Sequence, residues 1–522
     1  MEDKNQALFN SDSRTKNVVR ISTVSTICSL AVTIMGFVYR TLFIHILSAS
    51  YLGINGLFSN ILQVLNMANL GIGTAIAFRF YEPVRNKDIQ QVGRIMRFYR
   101  KVYLIIGLAI FTMGMCLFPF LHFLIKDTSE VPQDVNIYLV YFLYLMNQVL
   151  SYTYSYKQTI LTADQRQDIR AFLQAATTLL QYVAQIVVLV VWRNYTASLF
   201  TNIFAMLFLN YLISVWVSRR YRPVFQVKEN LPVEEQKRIF KDTGAVFCHR
   251  IGSTVLNSTD NIILSSFVGV TTTGYYSNYY MIYNSLSEIL NKLLGSFTAS
   301  LGNAHIDLDV NKRYDVFLKL YYINLLIDGL ATVCLYNLID GFISLWVGSS
   351  MLLDHFTVGV LCVQFFITSS RYITTSHIYG SGLFNRDILR PMIEAAINVV
   401  VSIIFVLTIG MAGIFIGTIV SMSLTSLWRE PYLLHKYEFK TSSRPFWLLF
   451  IRYSVLTVIL AALSTLIPIR VAGIGSWLLR AILTAFLYML VMLLIQFKDE
   501  RMKFFLQMLV KLIGRIKKKV KK

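Results

Sequence analysis

Long apolar runs of about twenty residues, broken by short polar and mostly basic loops, fill nearly the whole chain. A membrane-spanning helix needs about 20 consecutive, predominantly apolar residues. Read with that window, the sequence predicts fourteen spans. Six lie near residues 20–48, 51–79, 102–125, 135–157, 171–192 and 196–218, and eight more near 244–268, 274–302, 317–338, 354–378, 391–410, 412–429, 446–468 and 476–497. The second, seventh and eighth are rich in Asn, Ser and Thr, and a span that is long yet polar faces a water-filled cavity or a partner helix rather than lipid. The expected fold is all-α and polytopic.

Composition narrows the class. Of 522 residues 55% are hydrophobic and only 15% charged, with mean hydropathy +0.55, whereas a soluble domain carries about 25% charged residues. A large soluble enzyme is excluded. The net charge of +21 would suit nucleic acid only if the cations formed a patch on a recognition fold. Here they sit in loops and in the tail, so no nucleic-acid partner is expected. Cys28, Cys116, Cys248, Cys334 and Cys362 fall inside apolar runs with no metal-ligand spacing, as buried structural thiols do. Residues 1–20 are polar and carry both charge signs, unlike a cleaved signal peptide, so the first helix is expected to act as its own insertion signal.

Charge also orients the chain, because Lys and Arg concentrate in short cytoplasmic loops. With the N-terminus inside, most of the 49 Lys and Arg fall on one side, including Arg94, Arg97, Arg100, Lys101, Arg219, Arg220 and ten in the tail 498–522. Lys126, Arg193 and Arg470 face the other side. Both termini are therefore expected to be cytoplasmic. The tail interleaves Phe504, Leu509, Leu512 and Ile513 with its cations and reads as an amphipathic helix attracted to anionic lipids of the inner leaflet.

A short pattern recurs. Ile46-Leu47-Ser48-Ala49, Gly53 and Gly56-Leu57-Phe58-Ser59-Asn60 are echoed by Ile263-Leu264-Ser265-Ser266, Gly269 and Gly274-Tyr275-Tyr276-Ser277-Asn278. Parallel repeats of this kind are a transporter architecture with the substrate site between pseudo-symmetric halves. The expected organisation is an N-terminal helical lobe over 1–218, a basic linker over 219–243 and a C-terminal lobe over 244–429. Two additional spans over 430–497 and the basic tail over 498–522 complete it.

Charges inside the spans are the candidate chemistry, since each costs at least about 2.5–3.5 kcal/mol unless a partner, water or function offsets it. Arg40 and Asp260 stand at similar depth in spans one and seven, where they form either a fixed salt bridge or a functional pair. In span eight Ser277, Asn284, Glu288, Asn291, Lys292 and Ser296 recur at helical spacing and make one polar stripe. Glu288 and Lys292, four apart, can pair. Span two offers Asn60, Gln63, Asn66 and Asn69, and span ten Ser369, Ser370, Arg371, Thr374, Thr375 and His377. His249, His377 and Glu394 lie near span ends and read as interfacial. Asn194-Tyr195-Thr196 fits a glycosylation pattern that often occurs by accident. The chain has no phosphate-binding glycine loop ending in Lys-Ser/Thr, no His-Glu-x-x-His and no Cys/His cluster; no catalytic residue, metal or cofactor is expected.

Gly36-Phe37-Val38-Tyr39-Arg40 leading to Leu52-Gly53-x-x-Gly56, and Asp260-Asn261-Ile262-Ile263-Leu264 leading to Gly269 and Gly274-Tyr275-Tyr276-Ser277, resemble the first and seventh spans of the polysaccharide transporter (Wzx-like) family. That family belongs to the multidrug/oligosaccharidyl-lipid/polysaccharide (MOP) flippase superfamily. The resemblance implies a flippase of the bacterial inner membrane that moves undecaprenyl-diphosphate-linked oligosaccharide outward by alternating access, with polysaccharide synthesis proteins as partners. On that reading Arg40, Lys292 and Arg371, with Asn60, Asn66, Asn284 and Asn291, line the headgroup cavity, and Asp260 and Glu288 gate or pair. A small-molecule exporter of the same superfamily, a membrane polymerase and an assembly scaffold are the alternatives. The short outer loops count against a polymerase.

Overall fold

The computed structural model describes residues 14–66, 79–80, 82–239, 258–307 and 309–507, with side chains at all of these except 14–19, 22, 128, 296–307 and 384–385. Asn69, Cys248, His249, Arg250, Asn257 and the tail after Gln507 lie outside the described residues, as does the side chain of Ser296. The described chain is helical throughout, and no strand occurs among the described residues. Each predicted span is a helix over its described part. In chain order these are α1 (Arg14–Ile46), α2 (Ala49–Leu65), α3 (Ile89–Leu117), α4 (Ile137–Ser155), α5 (Gln167–Trp192) and α6 (Tyr195–Arg220). Then follow α7 (described over 258–267) and α8 (Val270–Asp307). α9 (Val310–Val347), α10 (His355–Ser370, continued by Tyr372–Gly380), α11 (Arg390–Ile409) and α12 (Met411–Leu424) come next, with α13 (Arg444–Thr465) and α14 (Ile474–Gln496) last.

Among the described residues ten of these, all but α2, α4, α7 and α8, are long and apolar enough to cross a membrane by length and composition. Of the remaining four, α2 and α7 are described over fewer residues than a span needs, and α8 carries the Asn and Ser that set it apart in the sequence. The fourth, α4, is rich in Tyr, whose hydroxyls need partners inside a bundle; Tyr141 Oη donates to the Gly114 carbonyl at 2.9 Å. Large apolar side chains such as Ile105, Leu108, Phe204, Phe208, Val458 and Phe486 are exposed, as befits helices whose solvent is lipid. Helix starts are capped in the expected way. Asp88, Asn136 and Asp354 accept from the backbone N–H three residues on, at 2.9, 3.1 and 2.9 Å. Asn194, of the apparent glycosylation pattern, is such a cap, accepting from the Ala197 N–H at 2.8 Å.

Contacts divide the chain into two compact units, Met1–Gly274 and Tyr275–Lys522. In the first, α1 packs on α5, α5 on α6, α4 on α6 and α3 on α4, around buried Phe43, Phe58, Tyr99, Tyr141 and Tyr195. The start of α8 also belongs to this unit. A Cβ on Gly53 would lie 1.8 Å from the Val270 carbonyl oxygen, and one on Gly274 2.0 Å from that of Ala49. Only glycine permits such backbone approach. Ala49 and Val270 are the first residues of α2 and α8, and Gly53 and Gly274 the fifth. First residue meets fifth in both directions, while the second residues, Ser50 and Thr271, meet each other through hydroxyls 3.0 Å apart. This is the reciprocal contact of a two-fold axis, here passing between Ser50 and Thr271.

The repeat seen in the sequence is therefore present, in a different register. Its elements are offset by 221 residues, the Ser50–Thr271 separation, so Gly53 rather than Gly56 is the counterpart of Gly274. The shared Gly-x-x-Ser-Asn pattern drew the sequence pairing three residues along. The physical constraint is close backbone approach, and Gly56 sits in ordinary contact with Thr273. Glu130 accepts from the Thr271 N–H at 2.8 Å, placing a carboxylate on the positive end of α8.

In the second unit α9 is the central post. It packs on α10, α13 and α14, and α12 bridges α10 and α11. Phe317, Tyr321, Tyr322, Leu326, Tyr453 and Tyr488 are buried in its core. The last two spans are fastened by Tyr488 Oη donating to the Leu326 carbonyl at 3.0 Å and Asn337 Nδ2 donating to Ser464 Oγ at 2.6 Å. Such interhelical bonds contribute on the order of 0.6 kcal/mol each in membranes.

The orientation gives a direct expectation. In a cysteine-free background, cysteines replacing Ser129 or Ser349, both in short connections between helices, should react with an impermeant thiol reagent in whole cells. Cysteines replacing Lys228 or Lys312 should label only after permeabilisation. Protection of inserted protein at Ser129 would reverse the topology drawn from the Lys/Arg bias.

Candidate functional site

The stripe predicted on span eight is built on α8, a helix of 38 residues. Asn284, Glu288, Asn291 and Lys292 are all exposed, while Tyr276, Tyr279, Tyr283, Leu290 and Leu294 on the same helix are buried. Helical periodicity thus separates a packed face from an open polar one. Lys292 Nζ lies 2.7 Å from Glu288 Oε1, with side chains 45% and 54% exposed. At that exposure the pair is weak, and either charge can turn to another partner. Ile289 and Leu293 are also about half exposed, so the polar stripe borders an apolar one.

Arg371 is placed differently. It interrupts α10, and its Nη2 lies 2.5 Å from Glu430 Oε1. Arg390 reaches Asp387 at 2.5 Å, Glu394 at 2.7 Å and Glu430 at 3.2 Å, while Arg429 reaches Asp387 at 3.4 Å. Thr375 Oγ1 donates to Glu430 at 2.9 Å and Ser426 Oγ to Glu394 at 3.2 Å. Three guanidiniums and three carboxylates thus form one network whose carboxylates are almost wholly buried. In this conformation Arg371 is held by Glu430, and meeting a headgroup requires that pair to open. Glu394, which reads from sequence as interfacial, is 1% exposed and belongs to this network.

The first-unit residues are arranged around tyrosines. Half-buried Arg40 lies within electrostatic reach of Tyr39 and Tyr182, whose rings stack at 5.0 Å. Tyr144 and Tyr195 share a hydroxyl contact of 3.3 Å, and Tyr51 donates to Asp134 at 2.5 Å. Asn66 accepts from Tyr152, whereas Asn60 turns its amide onto the Gly56 carbonyl at 2.8 Å. Asp260 is buried, and its Oδ1 has no hydrogen-bond partner among the described residues. No ion pair joins Arg40 to Asp260 there, so a fixed salt bridge between them is not a feature of this conformation. The tyrosine cluster carries no charge signature; its signal is the recurrence of Tyr at 39, 51, 144, 182 and 195 within otherwise apolar runs.

In the second unit Asp328 is fully buried in α9 and accepts from Asn324 Nδ2 at 2.8 Å. The same amide reaches the carbonyls of Ser369 and Ser370 at 3.2 and 3.0 Å. Asn324 fastens α9 to α10, and Asp328 holds its amide in place. No group of His, Cys, Asp and Glu suited to hold a metal occurs among the described residues.

Solved structures share this fold. The lipid II flippase MurJ in an inward closed conformation superposes with a TM-score of 0.68 at 12% identity, covering 91% of this chain and all of that one. An inward-facing multidrug resistance MATE family transporter of the MOP superfamily gives 0.57 at 14% identity, with 84% and 98% coverage. A Vibrio cholerae MATE transporter gives 0.54 at 12% identity, with 83% and 99% coverage. No curated protein matches the sequence. The fold is that of the MOP superfamily, as the sequence resemblance implied, and the chain is a multi-pass membrane protein. The family model described as polysaccharide biosynthesis protein matches residues 18–297, more than half of the chain, and the protein belongs to that family.

Proposed function

We propose that the protein is a flippase of the bacterial inner membrane that carries undecaprenyl-diphosphate-linked oligosaccharide outward for cell-surface polysaccharide. The observation that carries this reading is the exposed polar face of α8, where a cation, an acid and two amides stand beside apolar side chains. Such a substrate combines an anionic diphosphate, a hydroxyl-rich sugar head and a polyprenyl tail. Lys292 suits the diphosphate, Asn284 and Asn291 the sugars, and the bordering Ile289 and Leu293 an isoprenoid. Glu288 pairs with Lys292 at 2.7 Å and is displaced when the substrate's own anion arrives. Arg40, Asn60 and Asn66 are the first-unit residues proposed to meet the same substrate during the cycle. Arg371 joins them once released from Glu430, and Asp260 takes part in gating. Alternation between two discrete packings moves the head group, with no covalent chemistry by the chain.

The test uses a strain whose surface polymer depends on this protein. Lys292→Ala should abolish the polymer and accumulate the lipid-linked oligosaccharide, with the protein at normal abundance in the membrane. Glu288→Gln with Lys292→Gln should fail equally if Lys292 meets the substrate. Recovery of export by that double change would show that Lys292 serves only to neutralise Glu288, and would overturn its assignment.

A further inference from the structure

α3 begins well before the apolar run that predicts it. Capped by Asp88, it carries Arg94, Arg97, Arg100 and Lys101 as a helical extension on the basic side of the protein. The extension, the end of α4 and the short helix Arg222–Phe225 enclose a cavity of about 420 Å³ lined by Arg97, Arg100, Lys101, Tyr156 and Phe225. That size lies within the range of about 300–1,000 Å³ typical of small-ligand sites. A fourth cation, Lys157, donates to Ser218 Oγ at 2.8 Å and lies 5.5 Å from the centre of the Phe225 ring.

Charge is unbalanced there. Arg94, next in sequence to the lining residue Gly93, has a carboxylate partner in Glu229, at 2.8 Å from its Nε. Arg97 instead donates to the Lys228 carbonyl, and Lys101 reaches only the Asn230 amide oxygen at 3.5 Å. Among the described residues no carboxylate comes within ion-pair distance of Arg97, Arg100, Lys101 or Lys157. Four cations gathered without an acid repel one another unless an anion enters. The walls show what kind of anion. Arg97, Lys101, Leu104 and Leu108 follow at spacings of four, three and four, on one face of α3. Leu104 is 49% and Leu108 65% exposed. The cationic cavity therefore opens along the helix onto an apolar, lipid-facing strip, which matches a molecule with an anionic head and an acyl tail.

We propose that this cavity binds the phosphate headgroup of an anionic glycerophospholipid of the adjoining leaflet, through residues other than those of the α8 stripe or the basic tail. Basic pockets between membrane helices bind acidic headgroups by the same electrostatics. The proposal does not depend on the transport reading, because its measurement is lipid binding at equilibrium.

Native mass spectrometry of the full chain in detergent, with phosphatidylglycerol and phosphatidylcholine added in equal amounts, tests it. The protein should retain phosphatidylglycerol preferentially. Arg97→Gln, Arg100→Gln and Lys101→Gln together should weaken that retention about a hundredfold, at roughly fivefold per cation, and leave phosphatidylcholine unchanged. Arg100→Gln alone, at an exposed position, should show the single step without risk to folding. Unchanged retention in the triple variant would overturn the proposal. So would displacement of the lipid by equimolar glycerol 3-phosphate, which would mark a site for free phosphate, or loss of the lipid on changing Lys517, Lys518 and Lys519 to Gln, which would assign binding to the tail.

Discussion

Glu430→Gln is expected to lower stability by about 3–5 kcal/mol, the cost of leaving a buried charge without its partner. Glu430 is 1% exposed and answers Arg371 at 2.5 Å, Arg390 at 3.2 Å and Thr375 at 2.9 Å. The amide cannot balance two guanidiniums. Folded proteins are stable by only about 5–15 kcal/mol, so the variant should appear as a large fall in the thermal midpoint of the purified protein, read as loss of the monodisperse peak after heating. Arg371→Met with Glu430→Met should recover part of that loss, because an apolar pair of similar volume avoids desolvating either charge. Arg390 then keeps Asp387 and Glu394. A Glu430→Gln protein that melts like the parent would show the network to be dispensable.

The second large effect concerns the glycine crossing. Ser50→Cys with Thr271→Cys, in a background lacking the five native cysteines, should form a disulfide in membranes because the parent hydroxyls are 3.0 Å apart. If translocation requires this contact to open, the oxidised protein should be inactive and regain activity when reduced. Full activity of the cross-linked protein would show that α2 and α8 stay together through the cycle. Gly53→Leu should be non-permissive for a different reason: its side chain would occupy the space of the Val270 carbonyl.

Much of this structure was legible in the sequence because lipid imposes one simple rule, that apolar helices about twenty residues long must cross it. The same rule marked α2, α7 and α8 as exceptions, and the Asn284, Glu288, Asn291 and Lys292 stripe followed from periodicity alone. What the pattern does not carry is pairing between distant residues. Arg371 looked available because Glu430 lies 59 residues away on a segment that reads as a helix end. Asp387, Arg390 and Glu394, at i,i+3 and i,i+4 spacings, are the local hint of the network. Arg40 and Asp260 occupy matched positions in the sequence, yet depth along two helices does not fix the direction in which each side chain points. The repeat register is set by close backbone contact at Gly53 and Gly274 rather than by the identity of small residues, and that contact leaves no mark in the sequence pattern.

Translocation itself is measured with the purified protein in liposomes that contain an undecaprenyl-diphosphate-linked oligosaccharide with a labelled sugar. An impermeant glycosidase added outside releases only the label in the outer leaflet. The protein should extend release from that outer-leaflet share to nearly the whole pool, and Lys292→Ala in equally loaded vesicles should leave it at the share seen in empty liposomes. Release that stays at the protein-free level with correctly inserted wild-type protein, under both a membrane potential and an ion gradient, would contradict the flippase assignment.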